Sequence, residues 1–367
     1  MATQEEPGFR FSLSKADANL RNNEPAKLDP TPTSAENPTV HAIIELEDLA
    51  TSRDIFAASA ASNRNASIST CRAIVVIATL VGMTFLNSMG TGILIAATPR
   101  MATDLDLPDG LILWPAASYA VAAGCLLLPL GAVADIVGAK ETWVLGSFLY
   151  LGFTVAIGRA RTGLQLIVFR VLQGVSIAMC LPTTVSLISN TFAGGVWRTA
   201  AFAINGMGQP LGFALGLVLG GVFTDTIGWR WAFYMMALIN VILSVASIWS
   251  LPLVHHLSEK TWARRLREDI DWIGAALISI GLGLLLYVLA VTTSSYRRLR
   301  DGQNIALMVL SVVLLAMFPL WMRQQENHSR PALIPNKIWR NPAFTSICIA
   351  VFLAWASLTC MEYYFTL

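Results

Sequence analysis

The feature that most constrains this chain is a series of apolar runs, each about 20 residues long. A helix rises 1.5 Å per residue, so a run of that length crosses the roughly 30 Å hydrocarbon core of a bilayer. Only 13% of the 367 residues are charged, whereas about a quarter are charged in an ordinary soluble domain. Because the backbone polar groups of a spanning segment must pair internally, helices are the expected element. The sequence therefore predicts an all-α integral membrane protein.

Nine such runs follow one another after residue 72. The segments between them carry the Gly, Pro and charged residues that usually interrupt apolar helices, as at 98–100 and 139–141. The sequence therefore predicts nine transmembrane spans. They are 73–97, 111–133, 142–159, 163–189, 199–223, 231–253, 272–292, 304–322 and 343–367.

The first 72 residues are polar and mixed in charge, which predicts a disordered cytoplasmic tail at 1–72. Membrane proteins retain basic residues on the cytoplasmic side. With the tail inside, 17 of the 25 Lys and Arg residues lie on that side and seven lie outside. This bias predicts a cytoplasmic amino terminus, against which only the cluster at 297–300 argues. The glycosylation sequons at Asn65 and Asn327 would then face the cytosol and stay unmodified.

Several classes of function leave signatures that this sequence lacks. Its formal charge of +2 is small and its basic residues are scattered, which excludes a nucleic-acid surface. The five cysteines are far apart, and no spacing typical of a metal site occurs. Nucleophile motifs and phosphate-binding loops are also missing from the sequence. We predict a protein that is not an enzyme, needs no metal or cofactor and binds no nucleic acid.

Acidic residues are scarce inside the predicted spans. Spans one to eight have none in their middle third, and the first span offers Asn87 instead of a carboxylate. Asp135, Asp225 and Asp271 lie at span ends. Water can solvate a carboxylate there, so their presence needs no functional explanation. Glu362 is the only acidic residue deep in a span. The residues themselves therefore do not predict proton coupling.

The segment that follows the second span reads GAVADIVGAK and covers residues 131–140. Gly131 and Gly138 would allow the chain to turn tightly. The carboxylate of Asp135 can cap or pair with neighbouring helix ends, and Lys140 adds a cation beside it. The segment predicts a tight cytoplasmic turn between the second and third spans.

Arg170 lies well inside the fourth span, in the sequence FRVLQG. A cation at membrane depth is costly unless it faces protein or water, so it usually marks an ion or substrate path. Gln173 follows three residues later and shares its helix face. The alternative is that Arg170 extends to a membrane interface, but apolar residues continue on both sides of it.

Glycines recur every four residues along the fifth predicted span. This spacing places them on one ridge, where another helix can approach to backbone contact. The four glycines are Gly208, Gly212, Gly216 and Gly220.

These three motifs, in this order, resemble those of the major facilitator superfamily, and particularly its fungal branch of fourteen-helix drug:proton antiporters. Two later stretches resemble the same branch: GWRWAF at 228–233 and DWIG at 271–274. Trp229 and Trp231 also suit an aromatic belt at a membrane interface. The resemblance covers about residues 73–367.

The resemblance implies the major facilitator fold. A six-helix amino-terminal bundle would occupy 73–253, a cytoplasmic loop 254–271, and about three helices of an incomplete second half 272–367. In the family the turn at 131–140 latches the two halves, and the glycine ridge packs against a helix of the second half. Here that partner would lie beyond Leu367. The resemblance assigns both motifs to gating and implies a proton gradient as the energy source.

The leading hypothesis is an exporter in the plasma membrane that moves a drug, toxin or fungal secondary metabolite by alternating access. Arg170 and Gln173 would line the substrate path, with Asn87 and Trp114 as further candidates. Two alternatives stay open. The last run is still apolar at Leu367, so the chain is predicted to be truncated. One alternative is therefore a transport-incompetent fragment that acts at most as a membrane interaction protein. A solute importer of the same superfamily is the other.

Overall fold

The computed structural model describes residues 70–366, apart from 193–194, 253–263, 267–268, 295–300, 329–332 and 335. All of the described residues belong to one compact unit, Ile68–Leu367. The predicted tail therefore lies almost entirely outside them, as do most of the loop predicted at 254–271 and the basic cluster at 297–300.

Nine long helices and two short 3-10 turns account for most of the described part of the chain, in which no strand occurs. The 3-10 turns are Asp109–Leu111 and Asn336–Arg340. The helices are α1 (Thr70–Asp104), α2 (Trp114–Val137), α3 (Ala139–Gly158), α4 (Gly163–Thr191), α5 (Val196–Asp225), α6 (Trp229–Ser250), α7 (Trp272–Ser294), α8 (Gly302–Asn327) and α9 (Pro342–Thr366).

Eight of these helices, α1 to α8, are long and apolar enough to cross a membrane. They coincide with the first eight predicted spans. The ninth predicted span coincides with α9, of which Pro342–Ser357 is an apolar segment. Hydropathy therefore locates the helices well, because each must match the thickness of the hydrocarbon layer.

The predicted break at 98–100 is wrong, because α1 continues through it to Asp104. Pro99 lacks an N–H and removes one bond of the helix. The Thr98 hydroxyl donates to the Leu94 carbonyl oxygen at 2.6 Å, and Arg100 pairs with Asp104 at 3.3 Å. These contacts stabilise the helix on either side of the proline. The break predicted at 139–141 is also displaced, since α3 already begins at Ala139.

Helix α1 is the most buried of the eight candidate spans. It packs against α5 and α6, while α2 packs against α4 and α7, and α3 against α4 and α6. Leu80, Leu86 and Ile93 of α1 are fully buried beside Trp143 of α3 and Phe233 of α6. The outer faces stay apolar, as expected for helices that meet lipid tails.

A polar cluster joins α3 to α6 inside this apolar bundle. The Ser147 hydroxyl donates to Asn240 Oδ1 at 3.2 Å and lies 2.5 Å from the Ser244 hydroxyl. Asn240 Nδ2 in turn donates to the Ser147 carbonyl oxygen at 3.3 Å. All three residues are fully buried. Interhelical hydrogen bonds of this kind fix how two apolar helices pack.

Helices α7 and α8 attach to the six-helix bundle through α2. The Ser279 hydroxyl of α7 donates to the Cys125 carbonyl oxygen of α2 at 2.6 Å. The Ser311 hydroxyl of α8 donates to the Gly281 carbonyl oxygen of α7 at 2.8 Å. Helix α7 thus contacts both α2 and α8 and connects them.

Candidate functional site

Arg170 is buried where α4 meets the first turn of α2, with 2% of its surface exposed. Its Nε donates to the Pro115 carbonyl oxygen at 3.2 Å, and its Nη1 donates to Gln173 Oε1 at 2.7 Å. Its guanidinium carbon lies 4.5 Å from the centre of the Tyr119 ring. The residue does not extend to an interface, and its charge is held inside the protein by several groups.

Gln173 connects Arg170 to α3. Its Nε2 donates to the Thr154 hydroxyl at 2.8 Å, and that hydroxyl donates to the Tyr150 carbonyl oxygen at 2.7 Å. Arg170 and Gln173 lie one turn apart on α4, which places both side chains on the face that meets α2 and α3. The exposed fractions of Gln173 and Thr154 are both 0%.

Tyr119 extends the network from Arg170 to α1. Its ring lies beside the guanidinium, and its hydroxyl donates to Asn87 Oδ1. The position is possible because Gly174 of α4 faces the Tyr119 carbonyl oxygen, where a β-carbon would come within 2.6 Å. The network of Arg170, Gln173, Thr154, Tyr119 and Asn87, called the Arg170 network below, thus joins α1, α2, α3 and α4.

Three of the four predicted path residues lie together in this network: Arg170, Gln173 and Asn87. Trp114 does not belong to it, because its ring packs edge-on against Tyr287 of α7 with the ring centres 5.7 Å apart. The sequence interpretation missed Tyr119 and Thr154. Their only signal is polarity within an apolar run, which many residues of membrane helices share.

The predicted turn between the second and third spans is shorter than expected. Gly131 does not form part of it, since α2 continues to Val137. Instead Gly131 faces Pro182 of α4, where a β-carbon would lie 3.4 Å from the proline β-carbon. The chain reverses at Gly138 alone, whose φ of 128° favours glycine.

The charged residues of this turn have separate environments. Lys140 Nζ donates to the Leu251 carbonyl oxygen at the carboxyl end of α6, at 2.7 Å. A cation is favoured there because the last carbonyl groups of a helix lack backbone donors. Asp135 is exposed on the last turn of α2. The assignment of this turn to a latch between two halves stays a prediction.

The glycine ridge of α5 packs against α1 of the same bundle, whereas the contact expected with a helix beyond Leu367 stays a prediction. A β-carbon on Gly212 would overlap the Phe85 carbonyl oxygen, and one on Gly216 would overlap that of Met89. At Gly220 it would lie 2.8 Å from the Ile93 α-carbon. The contact is reciprocal, because a β-carbon on Gly92 of α1 would overlap backbone atoms of α5.

Gly208, the first glycine of the ridge along the chain, has a looser contact with α1. A β-carbon on Gly208 would lie 3.2 Å from the Val81 side chain and 3.9 Å from the nearest α1 backbone atom, the Val81 carbonyl oxygen. The two helices therefore come closest between Gly212 and Gly220. A surface without side chains allows two helix backbones to touch in this way.

The prediction that Asp271 is a solvated end residue is wrong, because only 6% of its surface is exposed. Its Oδ1 accepts from the Gly274 N–H at 2.9 Å, which caps the start of α7. Its two carboxylate oxygens also accept from Trp321 Nε1 of α8 at 3.1 and 3.0 Å. Asp225 is exposed, as expected, and the side chain of Glu362 lies outside the described part.

Trp229 is not part of an aromatic belt, because only 1% of its surface is exposed. Its Nε1 donates to Asp104 Oδ2 at 3.0 Å. Arg230 lies 3.7 Å from the same carboxylate and stacks over the Trp229 ring. These contacts attach the start of α6 to the end of α1. Trp231 is exposed, as a belt residue would be.

No group of three His, Cys, Asp or Glu residues that could hold a metal ion occurs in the described ranges. The Arg170 network offers a cation, two amides and two hydroxyl groups in apolar surroundings. Such a set of groups can bind an organic molecule through hydrogen bonds and charge.

The family model of the Major Facilitator Superfamily matches residues 80–367. The MFS-type transporter 1 of Pyricularia oryzae is 46% identical over an alignment 329 residues long, which covers 82% of this chain and 54% of that protein. The aminotriazole resistance protein of Saccharomyces cerevisiae is 27% identical over 263 residues, 69% of this chain and 46% of its own length.

The cephamycin export protein CmcT of Amycolatopsis lactamdurans is 29% identical over 283 residues, which are 77% of this chain and 56% of that protein. This chain thus spans about half the length of the curated relatives it matches.

Proposed function

The chain belongs to the Major Facilitator Superfamily, and we propose that it acts in the export of a small amphiphilic organic compound across the plasma membrane. The family and the relatives described above are transporters, which agrees with the prediction that this chain is not an enzyme. The compound would be a drug, a toxin or a fungal secondary metabolite.

The observation that carries this proposal is the buried Arg170 network. Four helices contribute polar side chains to one place within spans that are otherwise apolar. Polar and charged groups at membrane depth are costly and usually serve a transported molecule or ion. Arg170, Gln173 and Asn87 would bind the compound during its passage.

The names of two relatives favour export over import. One is a resistance protein for aminotriazole, and another is an export protein for cephamycin. The second name states export, and the first states resistance to a small molecule, which export would explain. We carry this direction over to the present chain as part of the proposal.

The proposed mechanism is alternating access, in which helices rearrange around a site that stays near the middle of the membrane. The seam between α1 and α5 suits a moving contact, because its glycines present a smooth backbone surface. Asn87 of α1 would respond to movement at this seam. A proton gradient as the driving force is supported by the resemblance to drug:proton antiporters.

A cellular accumulation assay tests the proposal. Yeast cells lacking their own exporters would express the chain and be loaded with a panel of fluorescent or radiolabelled amphiphilic compounds. At least one compound should accumulate less than in cells with an empty vector. Accumulation above the vector level would instead identify an importer. Equal accumulation of all compounds would contradict transport and favour the interaction-protein alternative.

A further inference from the structure

A groove runs along the outside of the bundle between the first turns of α1 and the last turns of α6. Its volume is about 750 Å³, within the range of pockets that hold small organic molecules. Val75 of α1 forms one wall, and Val241, Val245 and Trp249 form the other. Because these side chains are at least partly exposed, the groove is open to an apolar occupant.

The groove has the depth of one lipid leaflet. From Val241 to Ser250 the axis of α6 rises about 13 Å at 1.5 Å per residue. Half of the roughly 30 Å hydrocarbon layer is about 15 Å. An acyl chain that starts at the end of α6 would therefore lie along the whole groove and end near the middle of the bilayer.

Positive charge is concentrated at the outer end of the groove. Arg72 lines it and is exposed, with its Nε 3.5 Å from the Ser250 carbonyl oxygen. Lys140 does not line the groove but lies at the same end of α6, because its Nζ donates to the carbonyl oxygen of the next residue, Leu251. An arginine has five N–H donors and a lysine three, so each bond uses one of several.

The lining of the groove contains no acidic residue among the described positions. A phosphate placed at the outer end would therefore meet Arg72 and lie near Lys140, without a competing carboxylate in the groove. Trp249, with 78% of its surface exposed, lies where a headgroup joins its acyl chains. Tryptophan is favoured at that depth because its ring is amphipathic.

From this arrangement we propose that the groove between α1 and α6 binds an anionic phospholipid. Its phosphate contacts Arg72 and Lys140, and one acyl chain lies along Val75, Val241 and Val245. Charge selects the lipid, because a zwitterionic headgroup has no net negative charge to offer these cations. The apolar wall then fixes its orientation. The site is distinct from the Arg170 network and does not depend on transport.

Native mass spectrometry of the detergent-purified chain tests this site. The protein is titrated with phosphatidylserine and, separately, with phosphatidylcholine that carries the same acyl chains. Phosphatidylserine should bind at lower concentration. Arg72→Gln should reduce this preference about fivefold, since a basic residue near an anionic lipid surface contributes about that factor. Arg72→Lys keeps the charge and should retain most of the preference.

Arg100→Gln is the matched control, because Arg100 lies near the other end of α1 with 65% of its side chain exposed. It should leave the preference unchanged. Equal binding of the two lipids by the unaltered chain would overturn the proposal. An equal loss of preference in Arg100→Gln and Arg72→Gln would also overturn it, because it would indicate attraction by overall charge rather than by this groove.

Discussion

Tyr119 is the residue through which the Arg170 network reaches α1. Tyr119→Phe keeps the ring beside the guanidinium but removes the bond to Asn87, so unfolding should become easier by about 0.6 kcal/mol. Tyr119→Leu also removes the ring contact with Arg170 and should cost about 1 kcal/mol more. SDS-induced unfolding of the purified protein measures both values. Equal stability of the two variants would contradict the ring contact.

The sequence identified part of this network for a physical reason. Arg170 is conspicuous because a cation within an apolar run must have a compensating environment. Gln173 follows from helical periodicity. Tyr119 and Thr154 could not be singled out, since an aromatic ring or a hydroxyl within a membrane helix can pack or bond to its own backbone. Their role depends on contacts between helices, which a single sequence does not contain.

Asp271 carries two structural contacts that its position at a span end did not indicate. Asp271→Ala removes the cap of α7 and leaves Trp321 Nε1 without this acceptor, which should destabilise the protein by about 1–3 kcal/mol. Asp271→Asn keeps an acceptor oxygen and should cost less. Unfolding free energies measure the difference.

The control for Asp271 is Asp225→Ala. Asp225 is an exposed carboxylate at the end of α5, and its removal should change stability by less than about 0.5 kcal/mol. If Asp271→Ala is no more destabilising than Asp225→Ala, the buried contacts do not stabilise α7 and α8.

At the scale of elements, the contact between α1 and α5 depends on glycine. Gly216→Ala places a methyl group against the Met89 carbonyl oxygen, so the two backbones must separate. Overpacking of this kind costs about 1–3 kcal/mol. The thermal midpoint and the monodisperse fraction in size-exclusion chromatography should both fall.

The same helix offers a matched control in Gly206. A β-carbon there has no atom within 4 Å, so Gly206→Ala should be neutral or slightly stabilising through helix propensity. Equal behaviour of Gly206→Ala and Gly216→Ala would show that the close approach is unimportant for the fold.

Element positions were predictable and their partners were not. The predicted all-α fold is confirmed by the helices and the family match. The predicted helix ends were wrong at Pro99 and Gly131, two residue types that usually interrupt helices. Both lie inside helices here, because neighbouring hydrogen bonds and packing outweigh local propensity. The glycine spacing likewise predicted a close helix contact but could not identify α1 as the partner.

At the scale of the whole molecule, orientation in the membrane stays a prediction. Cys71 and Arg100 lie toward opposite ends of α1, about 44 Å apart at 1.5 Å per residue. Two variants with a single cysteine each are compared, one with Cys71 and one with Arg100→Cys, and all other cysteines are replaced by serine. A membrane-impermeant maleimide should label the Arg100→Cys variant on intact cells. Cys71, which is exposed, should react only after permeabilisation. Labelling of Cys71 on intact cells would contradict the cytoplasmic amino terminus.

The central claim is that Arg170 serves transport rather than the fold alone. In the accumulation assay, Arg170→Ala should abolish export while the abundance of the protein in the membrane stays normal, and Gln173→Ala should weaken it. Arg161→Ala, which removes an exposed cation just before α4, should export normally. Loss of export confined to the Arg170 network would support the account. Unchanged export by Arg170→Ala at normal abundance would contradict it.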